Sequence, residues 1–271
     1  MTIFEAAILG LIQGLTEFLP VSSSGHLVLA EYLLNIHTSS DITFEVFVHF
    51  GTFLSVVVAF WKDVVGIVQA FVRAFIPFRL SKDYYREHEH FRLAVAILIG
   101  SIPAAVIGMR YEDSIAQAFT DPKLVAVMLV ITGLILFLTG LAKPLEGRRV
   151  GLVSAFLIGC AQAMAIIPGI SRSGSTISAA LYLKVEPYHA ARFSFLMSLP
   201  VIAGATLLKT KDLIMNGGAS EGLFTLFVGM AVSFGSGYVA IKVLLRIIER
   251  GKLRWFSLYC LTVGILGILF I

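Results

Sequence analysis

Long apolar stretches, interrupted by two short polar runs, dominate the pattern along this chain. A helix that crosses the bilayer needs about 20 residues, because each residue rises about 1.5 Å across roughly 30 Å of hydrocarbon. The predicted full spans are residues 41–61, 91–109, 123–142, 188–208, 222–245 and 255–271. Their continuous apolar character favours helices over the alternating strands of a β-barrel. The pattern therefore predicts an all-α polytopic membrane protein.

Two further regions fit a full crossing less well. Residues 2–36 are broken at Pro20 and the following Ser-Gly run, and residues 150–186 are broken at Pro168-Gly169. The arm after each break is too short to span a bilayer. We therefore predict two re-entrant helix–loop–helix elements, which membranes tolerate where protein or a watery cavity covers the broken backbone. The alternative is a pair of ordinary spans in each region.

The two halves of the chain also resemble one another. When the sequences of the two halves are aligned without gaps, Gly10 pairs with Gly159, Gln13 with Gln162, Ser22 with Ser171, Ser24 with Ser173 and Gly25 with Gly174. Residues about 1–142 and about 150–271 are thus predicted to form two repeats within a single membrane domain, 1–271. Each repeat would consist of a re-entrant element followed by three transmembrane helices. The two repeats would have opposite orientations in the membrane. Inverted-topology repeats with discontinuous helices place the site at the repeat interface.

The distribution of charged residues predicts the orientation of the chain in the membrane. Hydrophobic residues make up 58% of the chain and charged residues 14%, with 21 Lys and Arg against 17 Asp and Glu. The basic residues concentrate in connections 62–92, 143–149 and 246–254, which we predict to be cytoplasmic. This distribution explains the basic balance without a nucleic-acid partner. The N-terminus lacks the basic leader of a cleaved signal peptide.

The first polar break carries reactive side chains. A charge at bilayer depth costs about 2.5–3.5 kcal/mol, so Glu17 is a functional-site candidate. Gln13 lies four residues earlier and shares its helix face. Glu17 could hold Mg²⁺ or Ca²⁺, or act as a base. His26 could be a general acid, a general base or a phosphate acceptor.

Each break also opens a short helix, whose free N–H groups and positive dipole end favour anions. The candidate donors and close-approach glycines are Ser22, Ser24, Gly25, Ser171, Ser173, Gly174 and Thr176. Arg172 adds a guanidinium suited to phosphate. Two such helix starts facing each other would suit a diphosphate better than a carboxylate. The alternative for the Ser and Gly residues is ordinary capping and tight helix packing.

Three further polar residues are weaker candidates. Glu45 and His49, at i and i+4, either line the same cavity or form a structural pair. Gln162 is expected to mirror Gln13 and to bond across the repeat interface.

Two segments of the chain resemble the motifs of a known family. They are Gln13-x-x-x-Glu17-Phe-Leu-Pro-Val-Ser-Ser-Ser-Gly-His26 and Pro168-Gly-Ile-Ser-Arg-Ser-Gly-Ser-Thr-Ile177. They look like those of the undecaprenyl-pyrophosphate phosphatase family, also called the bacitracin-resistance protein family. The likeness covers essentially the whole chain. It implies a bacterial cell-membrane enzyme that removes one phosphate from a C55 polyprenyl diphosphate. The monophosphate lipid carrier for cell-wall synthesis would thereby be regenerated, with a divalent cation required.

The resemblance also implies roles for particular residues. Glu17, His26 and Arg172 match the family's essential residues, and Ser23 matches its proposed nucleophile. Gln13 stands where many relatives have Glu, which leaves Glu17 as the main acidic group. The family's site is thought to face the extracytoplasmic side. Either Ser23 attacks with His26 as base, or His26 attacks directly, or water does.

A transporter or flippase for a phosphorylated lipid or small anion is the strongest rival. Broken helices in inverted repeats favour it equally, but transport needs no general base, so Glu17 and His26 discriminate. The small residues Gly229, Ser233 and Gly237 predict a helix contact, either within the chain or in a homodimer.

Overall fold

The computed structural model describes residues 1–34, 42–75, 82–215 and 222–271. Within these ranges the regular structure is helical and no strand occurs. The helices are α1 (Ile3–Phe18), α2 (Ser23–Leu34), α3 (Ile42–Ala59), α4 (Trp61–Phe75), α5 (Lys82–Glu87), α6 (Glu89–Arg110), α7 (Glu112–Ala118), α8 (Pro122–Leu138), α9 (Leu152–Met164), α10 (Arg172–Tyr182), α11 (Pro187–Met215), α12 (Leu223–Glu249) and α13 (Trp255–Phe270).

Several of these helices can cross a membrane. Among the described residues, four are long and apolar enough: Glu89–Arg110, Pro122–Leu141, Pro187–Leu207 and Leu223–Glu249. Helix α3 reaches this length only together with α4, and α13 is a shorter apolar helix. The prediction of an all-α, multi-pass membrane protein is confirmed. The predicted spans 41–61 and 255–271 correspond to α3 and α13, each of which alone is shorter than the four helices above.

The predicted cytoplasmic connection 62–92 is not a simple loop. The chain turns by 85° after α3 and continues as α4. Ala70 and Ala74 of α4 are buried with Phe91 of α6, whereas Trp61 is exposed. Lys and Arg gave this segment the composition of a loop, but its apolar positions recur at the helical period. Within this connection, α4 is an amphipathic helix packed on the bundle.

Both predicted breaks are present. Helix α1 ends at Phe18 and α2 begins at Ser23, while α9 ends at Met164 and α10 begins at Arg172. Proline disfavours helical geometry in the residue before it. The second break also contains Gly169 at φ 94°, a left-handed conformation that glycine adopts without strain. The depth of the two short arms in the membrane stays a prediction.

Two pairs of helices, α1 with α12 and α9 with α6, pack across the two halves of the chain. The backbones of Gly10 (α1) and Gly229 (α12) are in close contact, and so are those of Gly159 (α9) and Gly100 (α6). A methyl group at Gly10 or Gly159 would collide with the carbonyl group that faces it. These contacts pair an element of each half with an element of the other. The inverted orientation and the domain limits stay predictions.

The small-residue face of α12 packs inside the chain. Ser233 Oγ donates a 2.7 Å hydrogen bond to the carbonyl of Val48 in α3. Gly229 lies against the ring of Phe44, and Gly237 is buried as well. Of the two alternatives, the contact within the chain is therefore the one observed.

Aromatic packing fixes the first break on α11. The ring of Phe18, the last residue of α1, meets the ring of Phe195 edge-on, with centroids 5.5 Å apart. Both side chains are fully buried, in a cluster that includes Ile177 of α10 and Met197 of α11. Burial of one such ring is worth about 1.5–3 kcal/mol. This core joins the end of α1 to α10 and α11.

Candidate active site

The two breaks touch each other directly. Ser173 Oγ, at the start of α10, donates a 3.2 Å hydrogen bond to the carbonyl of Leu19 in the first break. Gly25 of α2 lies against the Cα atom of Gly169 in the second break. Side chains that are 155 residues apart in sequence can therefore meet here.

Helix α8 locks the second break in place. Thr132 Oγ1 donates to the carbonyl of Gly169 (2.9 Å) and accepts from the N–H of Ser171 (3.0 Å). A side chain at Gly169 would also collide with the carbonyl of Val125. The left-handed conformation and the crowding together explain why glycine is required at this turn.

The two helix starts are capped in the same way. Ser22 Oγ accepts from the N–H of Gly25 at 3.2 Å, and Ser171 Oγ accepts from the N–H of Gly174 at 3.0 Å. The first two N–H groups of each helix have no carbonyl partner within the helix. Both starts therefore present unbonded donors and a positive dipole end towards the same region.

Glu17 is the centre of the polar network. Its Oε1 forms an ion pair with a terminal nitrogen of Arg172. Its Oε2 accepts from Ser23 Oγ at 2.6 Å and from Gln13 Nε2 at 2.9 Å. The contact between acid and guanidinium that the sequence predicted is thus present, with a serine hydroxyl on the same carboxylate.

Burial makes this network costly to break. The side chains of Glu17 and Arg172 are only 7% and 18% exposed. Removal of one partner from a buried pair leaves the other charge uncompensated, which typically costs about 3–5 kcal/mol. The arrangement is therefore rigid, and it fixes the position of the Ser23 hydroxyl.

A cavity of about 280 Å³ lies over these groups. Its polar end is lined by Glu17, Ser22, Ser23, Ser24, Ser171 and Arg172. Apolar side chains form much of the remaining wall, among them Phe119, Ile166, Val201 and Ile202. A cavity that is anion-binding at one end and apolar along its wall fits the head of an amphiphile better than a wholly polar substrate.

Glu45 and His49 of α3 also line the cavity, as the first of their two alternatives predicted. The Nδ1 atom of His49 lies 2.8 Å from the backbone carbonyl of Glu45. Because a carbonyl only accepts, Nδ1 carries the hydrogen, and Nε2 of the neutral ring is an acceptor. Their spacing of four residues was the sequence signal for this shared face.

Gln162 differs from the expectation. It lines the cavity, and both atoms of its buried side-chain amide lack a hydrogen-bond partner. The predicted bond across the repeat interface is therefore wrong, since Gln13 donates to Glu17 instead. Unpaired buried polar groups are rare and cost about 1–3 kcal/mol each. The amide is a candidate contact for an anion or a cation in the cavity.

His26 does not line this cavity. Its Nδ1 donates to the carbonyl of Ser22 at 2.8 Å, and its Nε2 is 2.8 Å from the hydroxyl of Tyr259 in α13. The two rings stack with centroids 5.5 Å apart and an interplanar angle of 8°. This placement favours a positioning role over direct contact with a reacting phosphate.

Five predicted substrate-binding residues also lie behind the cavity wall. They are Gln13, Gly25, Ser173, Gly174 and Thr176, none of which lines the cavity. Thr176 Oγ1, for example, is 2.6 Å from Ser194 Oγ and bonds back to the carbonyl of Arg172 at 2.8 Å. The predicted lining residues Ser22, Ser24 and Ser171 do face the cavity.

The donors at the cavity determine which metal they suit. In the described parts of the chain, no three His, Cys, Asp or Glu side chains converge as a self-contained metal site. The cavity instead offers the carboxylates of Glu17 and Glu45 and the unpaired amide oxygen of Gln162. One or two carboxylates shared with substrate phosphates are the usual setting for Mg²⁺. The residues present fit such a shared cation.

The chain is similar to known proteins along nearly its whole length. A family model described as "Bacitracin resistance protein BacA" matches residues 6–266. A curated protein of Salinibacter ruber named "Undecaprenyl-diphosphatase" is 46% identical over 269 residues, covering 99% of each chain. Proteins of the same name from Halothermothrix orenii and Korarchaeum cryptofilum are 44% and 42% identical, and both alignments cover 98% or more of each chain.

Proposed function

The chain belongs to the bacitracin resistance protein BacA family, and on this premise we propose that it is an undecaprenyl-diphosphate phosphatase. It hydrolyses undecaprenyl diphosphate to undecaprenyl phosphate and inorganic phosphate, and this recycling of the cell-wall lipid carrier confers bacitracin resistance. The observation that carries the proposal is the carboxylate of Glu17, bonded to both Ser23 and Arg172 at the polar end of the cavity.

Substrate binding follows from the shape of the cavity. The diphosphate lies at the two helix starts, where unbonded N–H groups and the guanidinium of Arg172 contact its oxygens. The first isoprene units lie along the apolar wall near Ile166 and Val201. The rest of the lipid tail remains between helices in the bilayer. Anion and tail thus bind at opposite ends of one cavity.

Ser23 is the nucleophile that the geometry supports best. Its Oγ is 2.6 Å from Glu17 Oε2, within reach for proton transfer. Ser23 Oγ attacks the terminal phosphorus as Glu17 takes the hydroxyl proton, and the bond to the bridging oxygen breaks. Water then attacks the phosphoserine, Glu17 returns its proton to Ser23 Oγ, and one water proton passes to solvent. Arg172 neutralises charge on the transferred group throughout.

Two neighbouring residues position this pair. Gln13 donates to the same carboxylate oxygen of Glu17 that accepts from Ser23. His26 donates a hydrogen bond to the carbonyl of Ser22. Ser22 has a φ of 70°, which is unusual for a residue other than glycine. Together they fix the turn that presents the nucleophile.

A divalent cation, Mg²⁺ or Ca²⁺, is part of the proposal. Glu17, Glu45 and the amide oxygen of Gln162 would hold it beside the diphosphate. When bound, it would supply positive charge that stabilises the transferred phosphoryl group.

We place the active site on the extracytoplasmic side of the bacterial cell membrane. The cavity wall includes Glu45 near the start of α3, Ala104 near the end of α6, and Phe119 before α8. These helix ends lie opposite the basic connections 62–92 and 143–149, which the distribution of Lys and Arg predicts to be cytoplasmic.

The cross-packing of α1 with α12 and of α9 with α6 favours one rival, a carrier for a phosphorylated lipid. The decisive assay is release of inorganic phosphate from a polyprenyl diphosphate by the purified protein with Mg²⁺. Glu17→Gln should abolish release while lipid binding is retained. Glu5→Gln, on the same helix within an exposed capping box, is the matched control. Binding without release by the unmodified protein would favour the carrier.

A further inference from the structure

Helix α4 has two faces of different character. Val64, Ile67 and Val68 line one side of an apolar groove of about 340 Å³, together with residues of α6 and α11. The chain enters α4 through an 85° bend from α3. A sharp bend away from a membrane-embedded segment and an open apolar groove on one face are typical of an amphipathic helix at the membrane interface.

The other face of α4 forms a polar groove of about 440 Å³ against the start of α6. Lys62 and Arg73 line it from α4, with the ring of Trp61 at one end. The ring of His88 stacks on Tyr84 in its wall, with centroids 3.9 Å apart. Because tryptophan is enriched at the level of lipid headgroups, Trp61 favours a position of this groove near the phosphates of the bilayer.

Two acids beside the groove, Asp63 and Glu89, are paired with arginines. Asp63 accepts two hydrogen bonds from Arg192, at 2.6 and 3.1 Å. Glu89 pairs with Arg149 at 2.6 Å and with Arg192 at 3.1 Å.

These pairings leave the groove cationic. Lys62 and Arg73 form no ion pair with any acid in the part of the chain that the structure describes. Their charge therefore remains available to an external anion.

We infer that this groove binds the phosphate of an anionic phospholipid of the surrounding bilayer. The position of α4 selects a lipid headgroup, and the two unpaired cations select an anionic one. The site is separate from the phosphoryl-transfer cavity, and it does not depend on the proposed function.

The experiment titrates the purified full chain in detergent with phosphatidylglycerol or phosphatidylcholine, and measures retained lipid by native mass spectrometry. Each Lys or Arg near an anionic surface contributes about 1 kcal/mol, so Lys62→Gln/Arg73→Gln should weaken retention of phosphatidylglycerol about 30-fold. Lys62→Arg/Arg73→Lys should retain it. Lys242→Gln/Arg246→Gln removes the same charge from exposed positions of α12 and should have no effect.

Three results would overturn the inference. They are unchanged retention in the double Gln variant, equal retention of phosphatidylcholine by the unmodified protein, and displacement of the lipid by inorganic phosphate alone. Release of phosphate from polyprenyl diphosphate checks folding, since neither residue lies at that cavity. If the double variant misfolds, Lys62→Gln and Arg73→Gln are tested singly, with about a fivefold loss expected for each.

Discussion

The unpaired amide of Gln162 predicts opposite effects of one substitution on stability and on activity. Gln162→Met replaces it by an apolar group of similar length and removes two buried polar atoms that have no partner. Since each such atom costs about 1–3 kcal/mol, the variant should be more stable than the unmodified protein by about 2 kcal/mol. In a chain of this size that corresponds to a rise in Tm of roughly 4–8 °C.

Activity should move the other way. Whether the amide contacts the diphosphate through Nε2 or the cation through Oε1, its interaction with a charged group contributes about 1.5–3 kcal/mol, so kcat/KM should fall by roughly 10- to 150-fold. The assays are thermal unfolding in detergent and phosphate release from polyprenyl diphosphate. Gln13→Met is the matched control: its Oε1 is unpaired as well, but its Nε2 donates to the buried carboxylate of Glu17, and loss of that bond should lower Tm. A lower Tm for Gln162→Met together with normal activity would refute the reasoning.

Four other outcomes are expected. Arg172→Lys keeps the charge but loses the planar fork, so kcat/KM should drop about 100-fold; phosphate-release kinetics with Tm as control test this, and a near-normal rate would contradict it. Gly169→Ala forces a side chain into a left-handed turn against the carbonyl of Val125, so unfolding should occur at a Tm several degrees lower; an unchanged Tm would exclude strain there. Tyr259→Phe removes one hydrogen bond to His26 and should cost about 1 kcal/mol of stability with little change in kcat, whereas a collapse of kcat would indicate direct chemistry by the imidazole. Chelation with EDTA should stop phosphate release without lowering Tm, and Mg²⁺ should restore it; full activity in EDTA would remove the cation from the proposal.

Much of the site could be predicted from the sequence because polar groups are conspicuous in apolar stretches. A carboxylate at Glu17 and a guanidinium at Arg172 require a buried partner, and each supplies the other. The prolines and glycines of the breaks likewise identified where the helices stop.

The features that the sequence did not predict depend on where a side chain points rather than on its residue type. His26 lies in the predicted break, but its side chain is on a different face of α2 from the cavity. It contacts Tyr259 of α13 instead. Gln13 and Gln162 match in the sequence, yet only Gln13 has a carboxylate within reach. The helix at 61–75 was missed because basic residues suggested a loop, although its apolar face buries Ala70 and Ala74. Such outcomes are set by tertiary packing, which a single sequence does not contain.

The origin of the two charged partners has a consequence for biosynthesis. Glu17 enters the membrane early, and Arg172 follows 155 residues later. A nascent chain halted between them carries the acid and the serine hydroxyl but lacks their cationic counterpart. Truncated or stalled polypeptides would thus be inactive. Catalytic activity therefore requires that both halves of the chain have been inserted and packed together.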